Sequence, residues 1–85
     1  MKNNETIVQL FRQHYPDMKQ LARLLLHDDA ESEDAVSEVF ANLMSKDILP
    51  TGSTARTYLL TALRNHCLNQ LRNRTIQERL QGLYL

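Results

Sequence analysis

Two glycines, two prolines, one cysteine and no tryptophan occur in 85 residues. So few turn formers exclude a β-sandwich or small barrel, which would need a turn roughly every 8–12 residues. A lone cysteine, Cys67, excludes an internal disulfide, and no zinc-ligand spacing surrounds it. No apolar run approaches membrane-spanning length and no signal-peptide pattern is present, so a cytoplasmic location without membrane contact is expected. What the chain does have is leucine: fifteen, against three isoleucines and three valines. Unbranched apolar side chains lose little rotamer freedom in a helix. With 42% hydrophobic residues the chain can fill one modest core but not line a deep cavity as well, so no small-molecule substrate is expected. The reading is a single all-α domain, a small bundle of three to four helices.

The zero net charge divides unevenly. Residues 1–50 carry five bases against nine acids, a net of −4, whereas residues 51–85 carry five arginines against Glu78 alone, a net of +4. A half whose only bases are arginines suits phosphate and base-edge contacts. The acidic half would repel nucleic acid and suits a basic protein surface. The alternative is that the two signs are solvated faces, or that helices of one half pair with those of the other.

Apolar residues at Ile7, Leu10, Phe11 and His14/Tyr15, then at Met18, Leu21, Ala22, Leu25 and Leu26, follow one helical face. Pro16 interrupts that face, which predicts a first helix kinked there, or two helices meeting there, closed by His27-Asp28-Asp29. Ser32 is the expected N-cap of the next helix, with Val36, Val39, Phe40, Leu43 and Met44 as its apolar stripe. Its other face carries Asp34, Ser37, Glu38, Ala41 and Asn42. Pro50-Thr51-Gly52-Ser53 breaks the chain, and Thr54 is a candidate cap for a last helix from about Ala55 to Arg74. Leu59, Leu60, Leu63, Cys67 and Leu71 form its core side. Tyr58, Thr61, Asn65, Asn69 and Arg72 recur at spacings of 3, 4, 4 and 3 and share an opposite stripe. Carboxamides pair with base edges and an aromatic ring stacks on unpaired bases, so this stripe is a coherent strand-reading set. Ordinary solvated helix surface is the alternative. Residues 75–85 are either a helix extension or the start of a linker, and Gly82 weakens the helical reading.

Catalysis finds no support. His14, His27 and His66 have no metal-ligand spacing, His27-Asp28-Asp29 lacks the alternation of a calcium loop, and Cys67 sits on an apolar face. There is no phosphate loop and no nucleophile elbow. A non-enzymatic protein without metal or cofactor is expected.

Three segments share a resemblance. Ala30-Glu31-Ser32-Glu33-Asp34-Ala35-Val36-Ser37-Glu38-Val39-Phe40 resembles the AEDAVQEVF signature of bacterial RNA polymerase sigma factors of the extracytoplasmic-function group. Arg56-Thr57-Tyr58-Leu59-Leu60-Thr61-Ala62-Leu63-Arg64-Asn65 resembles their RAWLYRIARN, and Leu68-Asn69-Gln70-Leu71-Arg72 the LDLLR that follows. Leu10-Phe11-Arg12-Gln13-His14-Tyr15-Pro16 is similar to LYRRYYP. Together they span about Leu10 to Arg74, in the family's order.

The resemblance implies sigma region 2, an all-helical module that docks on core RNA polymerase and recognises the −10 element through the non-template strand. It points to Asp34, Ser37, Glu38, Ala41 and Asn42 as contacts to the β′ clamp helices. It assigns Ser53, Thr54, Arg56, Tyr58, Thr61, Arg64, Asn65, Asn69 and Arg72 to promoter DNA, with the loop from Leu49 to Thr54 capturing a flipped base. An anti-sigma factor is a further expected partner. Four departures stand out: Ser37 for glutamine, Met44 for an aromatic, Tyr58 for tryptophan and Asn69 for aspartate. The helix-turn-helix module that reads the −35 element, region 4, is absent from these residues, which leads us to expect an excised fragment rather than a stand-alone domain. A second reading is a sigma-like interaction bundle that binds a regulator and never reads DNA; a third is a helical domain that prefers duplex.

Overall fold

The computed structural model describes residues 2–84 and builds three α-helices: α1 (Lys2–Leu26), α2 (Asp29–Met44) and α3 (Thr54–Tyr84). No strand occurs among the described residues, and the fold is the expected all-α bundle, with three helices. Met1 and Leu85 lie outside the description, as do the side chains of Lys2 and Glu5 that enter the charge count.

α1 is one helix, continuous through Pro16, rather than two. Proline deprives the Arg12 carbonyl of its donor. Both residues are exposed, so water can satisfy that carbonyl. The helix ends at Leu26 because His27 turns into the left-handed region, φ 57°, and donates its N–H to the Arg23 carbonyl at 2.9 Å. This is the single-bond left-handed cap that glycine usually supplies. Asp28 is then extended and accepts the Glu31 N–H on its carboxylate at 2.8 Å.

Asp28, not Ser32, is therefore the N-cap of α2, which starts a turn earlier than the sequence reading placed it. Ser32 lies inside the first turn, fully buried, its hydroxyl donating to the Asp28 carbonyl at 2.6 Å. Asp28→Ala should lower stability by about 1 kcal/mol. The check is a shift of the urea midpoint at unchanged slope; an unchanged midpoint would remove Asp28 from this role.

Met18, Val36, Leu43, Leu59, Leu63 and Cys67 are fully buried and make the centre of the core, one set from each helix. Leu60 and Leu71, expected in that core, are half-buried at its edge, and Ala55, not singled out by periodicity, is inside. Met44 falls off the core entirely, at 62% exposed, although Leu43 beside it in the same turn is fully buried. Phe11 is also turned to the rim, stacked on Tyr15 at 4.9 Å and edge-on to Phe40 at 5.0 Å.

The cross-links fix the directions. Phe11 meets Phe40 while Lys19 and Arg23 meet Glu33 and Asp29, so α1 and α2 are antiparallel. Glu31 pairs with Arg74, while Asn42 and Tyr58 line one groove, so α2 and α3 are antiparallel too. α3 outruns its partners: all residues from Arg72 to Leu83 are exposed, and the molecule measures 53 × 24 × 20 Å. The helix passes straight through Gly82 rather than fraying into a linker. Thr54 does not cap it; as its first residue it donates its hydroxyl to the Thr51 carbonyl at 2.9 Å. Gly52, at φ 63°, makes the turn that lets its own carbonyl accept from the Ala55 N–H at 3.2 Å.

Candidate functional site

Every one of the fourteen residues expected at an interface, five on α2 and nine on α3 or just before it, is solvent-exposed. A helix turns about 100° per residue. On α2 this puts Asp34, Ser37, Glu38 and Ala41 on one ridge that looks away from both other helices. Asn42 is turned toward α3. There it lines a groove of about 410 Å³ with Val39, Lys46, Tyr58, Ala62 and His66. The ridge and the α3 stripe thus meet at a seam, and Asn42 belongs to the seam rather than the ridge. Lys46 and His66 are groove residues that the periodicity argument passed over. His66 sits one turn beyond Ala62 on the same side, a relation already present in the spacing.

The ion pairs separate structural acids from free ones. Lys19 bridges Asp29 at 3.2 Å and Glu33 at 3.1 Å, Arg23 reaches Asp29 at 3.6 Å, and Arg56 holds Asp17 at 3.2 Å. Glu31 accepts from Arg74 and, at 3.2 Å, from Gln70. Among the described residues the ion pairs that join the acidic and basic halves are Arg56–Asp17 and Arg74–Glu31. Asp34 and Glu38 have no ion-pair partner among the described residues. The Glu33 carboxylate, with Asp29 beside it, holds the Lys19 ammonium above the ordinary lysine range. A raised lysine value means this contribution is complete below the unfolded-chain value and is lost as the pH rises through the folded one.

On α3, Tyr58, Thr61, Asn65, Asn69 and Arg72 fall within a sector of about 80°. Arg56 is on the opposite side of the helix, engaged with Asp17 of α1. Ser53 and Thr54 stand at the start of the helix, in the turn that Gly52 makes. Tyr58 is 40% exposed, its ring neither in the core nor free of it. Arg72 donates to the Asn69 Oδ1 at 2.6 Å, and Arg64 to the Asn65 Oδ1 at 3.4 Å. Neither arginine meets a carboxylate among the described residues, so both keep their charge for an outside anion.

Cys67 is fully buried, and desolvation pushes its thiol up, away from the thiolate a nucleophile needs. No group of three or more potential metal ligands converges among the described residues, and no described helix is long and apolar enough to cross a membrane. A depression of about 790 Å³ lies between α1 and the start of α2, bordered by Tyr15, Leu24 and the Lys19–Asp29 pair, and belongs to neither the ridge nor the stripe.

An acidic ridge on one helix, an arginine–asparagine stripe on another and a groove at their seam are thus joined in one small bundle. The family described as Sigma-70 region 2 matches residues 10–76. No curated protein and no solved structure matches the chain.

Proposed function

The chain belongs to the sigma-70 region 2 family, a transcription initiation factor family whose partners are RNA polymerase and promoter DNA, and from that premise we propose how its surface divides the work. The α2 ridge of Asp34, Ser37, Glu38 and Ala41, with Asn42 at its edge, docks on the β′ clamp helices of core RNA polymerase. The α3 stripe of Tyr58, Thr61, Asn65, Asn69 and Arg72, flanked by Arg64, binds the non-template strand of the −10 element and holds it melted. Ser53 and Thr54 contribute from the preceding turn. The protein acts in the cytoplasm as a sigma factor module of the extracytoplasmic-function type, with an anti-sigma factor as its regulator.

One observation carries this division: among the described residues Asp34 and Glu38 on one face, and Arg64 and Arg72 on another, stay outside the ion pairs of the fold, as do Arg12, Asp28, Lys46, Asp47, Glu78 and Arg79. Opposite free charges on separate faces suit two partners of opposite sign, a basic protein and a polyanion. A regulator-binding bundle with no DNA role would explain the ridge but not the arginines.

The test is retention of bacterial core RNA polymerase by the chain, followed by titration of the complex with a single-stranded −10 oligonucleotide across a salt series. Retention and a steep loss of affinity with salt are expected. Retention without strand binding at any salt would favour the regulator-binding bundle, and tighter binding of duplex than of single strand would favour the duplex reader. Within the series, Arg72→Ala should flatten the slope of log K against log salt by about 1. Arg56→Ala should flatten it less, because Asp17 already neutralises that guanidinium.

A further inference from the structure

We infer that the surface docking on core RNA polymerase does not end at the acidic ridge of α2. It continues across the seam between α2 and α1, where Val8, Phe11 and Met44 form its apolar centre. This rests on the proposed reading of the ridge as the docking face. The register of the two helices is fixed by the pairs of Lys19 and Arg23 with Asp29 and Glu33, and by the Phe11–Phe40 ring contact at 5.0 Å. One turn beyond Phe11 and Phe40, the same antiparallel register sets Met44 opposite the turn of α1 that holds Ile7 and Val8. Ile7 enters the core, while Val8 is 46%, Phe11 37% and Met44 62% exposed. The seam thus has a closed end, held by ion pairs, and an open apolar end. Exposed apolar side chains scattered singly are ordinary; three that the register gathers at one end of a seam, beside a polar ridge, mark an interaction surface.

Continuity with the ridge decides what covers this patch. At 100° per residue Met44 stands about 20° around α2 from Ser37 and about 60° from Ala41. Read across the helix, the surface runs from Asp34 and Glu38, through the short side chains of Ser37 and Ala41, to Met44 and over the seam to Phe11 and Val8. An apolar centre with charge at its rim is the layout of a protein interface. Nucleic acid does not fit, because the acids repel it and the apolar end has no charge for a phosphate. RNA polymerase, a partner of this family, is the occupant that meets both parts, with basic groups over the acids and an apolar strip over Met44. Phe11 is already ordered by Tyr15, stacked on it at 4.9 Å, and by Phe40, so docking has less side-chain freedom to remove. Met44 is unbranched and polarisable and adapts to an irregular apolar surface.

The test measures the affinity of the fluorescein-labelled chain for bacterial core RNA polymerase across a salt series, with Met44→Gln, Val8→Thr and the double variant beside the wild type. Both substitutions keep the size of an exposed side chain, and glutamine and methionine have similar helix propensities, so thermal unfolding should not move. Met44→Gln should weaken binding about tenfold and the double variant more, the loss expected when apolar side chains at the centre of an interface turn polar. The factor should be the same at every salt concentration, whereas the loss caused by Glu38→Gln should shrink as salt screens the charge. Lys19→Ala, at the closed end of the seam, should bind like the wild type, which separates a contact at the open end from a general loosening of the two helices. A double variant within twofold of the wild type, with Glu38→Arg still inactive, would overturn the inference and leave the ridge reading standing. Sedimentation of the chain alone is the second arm. A dimer that Met44→Gln dissociates would assign the patch to a second copy of this chain and overturn the inference as well. If Glu38→Arg also binds like the wild type, the ridge reading fails and takes this inference with it.

Discussion

Glu38→Arg is expected to abolish retention of core RNA polymerase while leaving thermal unfolding of the chain unchanged. Glu38 stands in the middle of the α2 ridge, exposed, with no ion pair and no hydrogen bond among the described residues that its loss would break. Glutamate and arginine have similar helix propensities, so the backbone has no reason to respond. The introduced guanidinium sits one turn after Asp34, where an acid followed by a base is mildly favourable. Stability should therefore stay within about 0.5 kcal/mol, the usual range for surface changes. Against a basic partner the same change replaces an attraction with a repulsion, and like charges brought together at an interface cost several kcal/mol. A loss of about 100-fold or more in affinity follows, enough to empty a pull-down. Ser37→Ala, which removes only a short hydroxyl from the same ridge, should have little effect. Lys19→Ala, on the α1 side, should have none. Full retention of the Glu38→Arg chain would move the docking surface off α2.

The contrast among those variants shows which parts of the surface can be read from spacing. The ridge and the stripe were legible because a helix repeats every 3.6 residues, and a side that is polar at that period has to face out. Long-range partners follow no such rule. Arg56 belongs by sequence to the same motif as Tyr58 and Asn65; two residues before Tyr58 it stands about 200° around α3, but that it meets Asp17 there, 39 positions away, is not in the spacing. Met44 continues the spacing from Phe40, but in that last turn of α2 it is Leu43 that the core covers, and Met44 is exposed. The start of α2 was misplaced for a local reason. Ser32 has good capping chemistry, but the left-handed turn at His27 already delivers Asp28 to the capping position. Histidine in that conformation is uncommon and gives no sequence signal as glycine would.

Leu63→Ala should be the most damaging single change to the fold, and it separates the two functions of α3, as a core element and as a reading surface. Leu63 is fully buried with Leu59 and Cys67 at the centre of the core. Truncating such a leucine removes its transfer energy and leaves a cavity that a three-helix core can only partly close, at about 2–5 kcal/mol. A chain of this length has roughly 4–13 kcal/mol of stability to lose, at about 0.05–0.15 per residue. The melting temperature should fall by more than about 10 °C, and the variant will be partly unfolded at moderate temperature. Leu83→Ala, on the same helix but 81% exposed beyond the bundle, should leave the melting temperature unchanged. Measured together by thermal unfolding and strand titration, the pair yields a further expectation. Below its melting transition the Leu63→Ala chain should retain the base preferences of the wild type, because Asn65, Asn69 and Arg72 face away from the cavity. Lost base selectivity in a chain that is still folded would mean that the stripe depends on core packing for its geometry, not only on the helix that carries it.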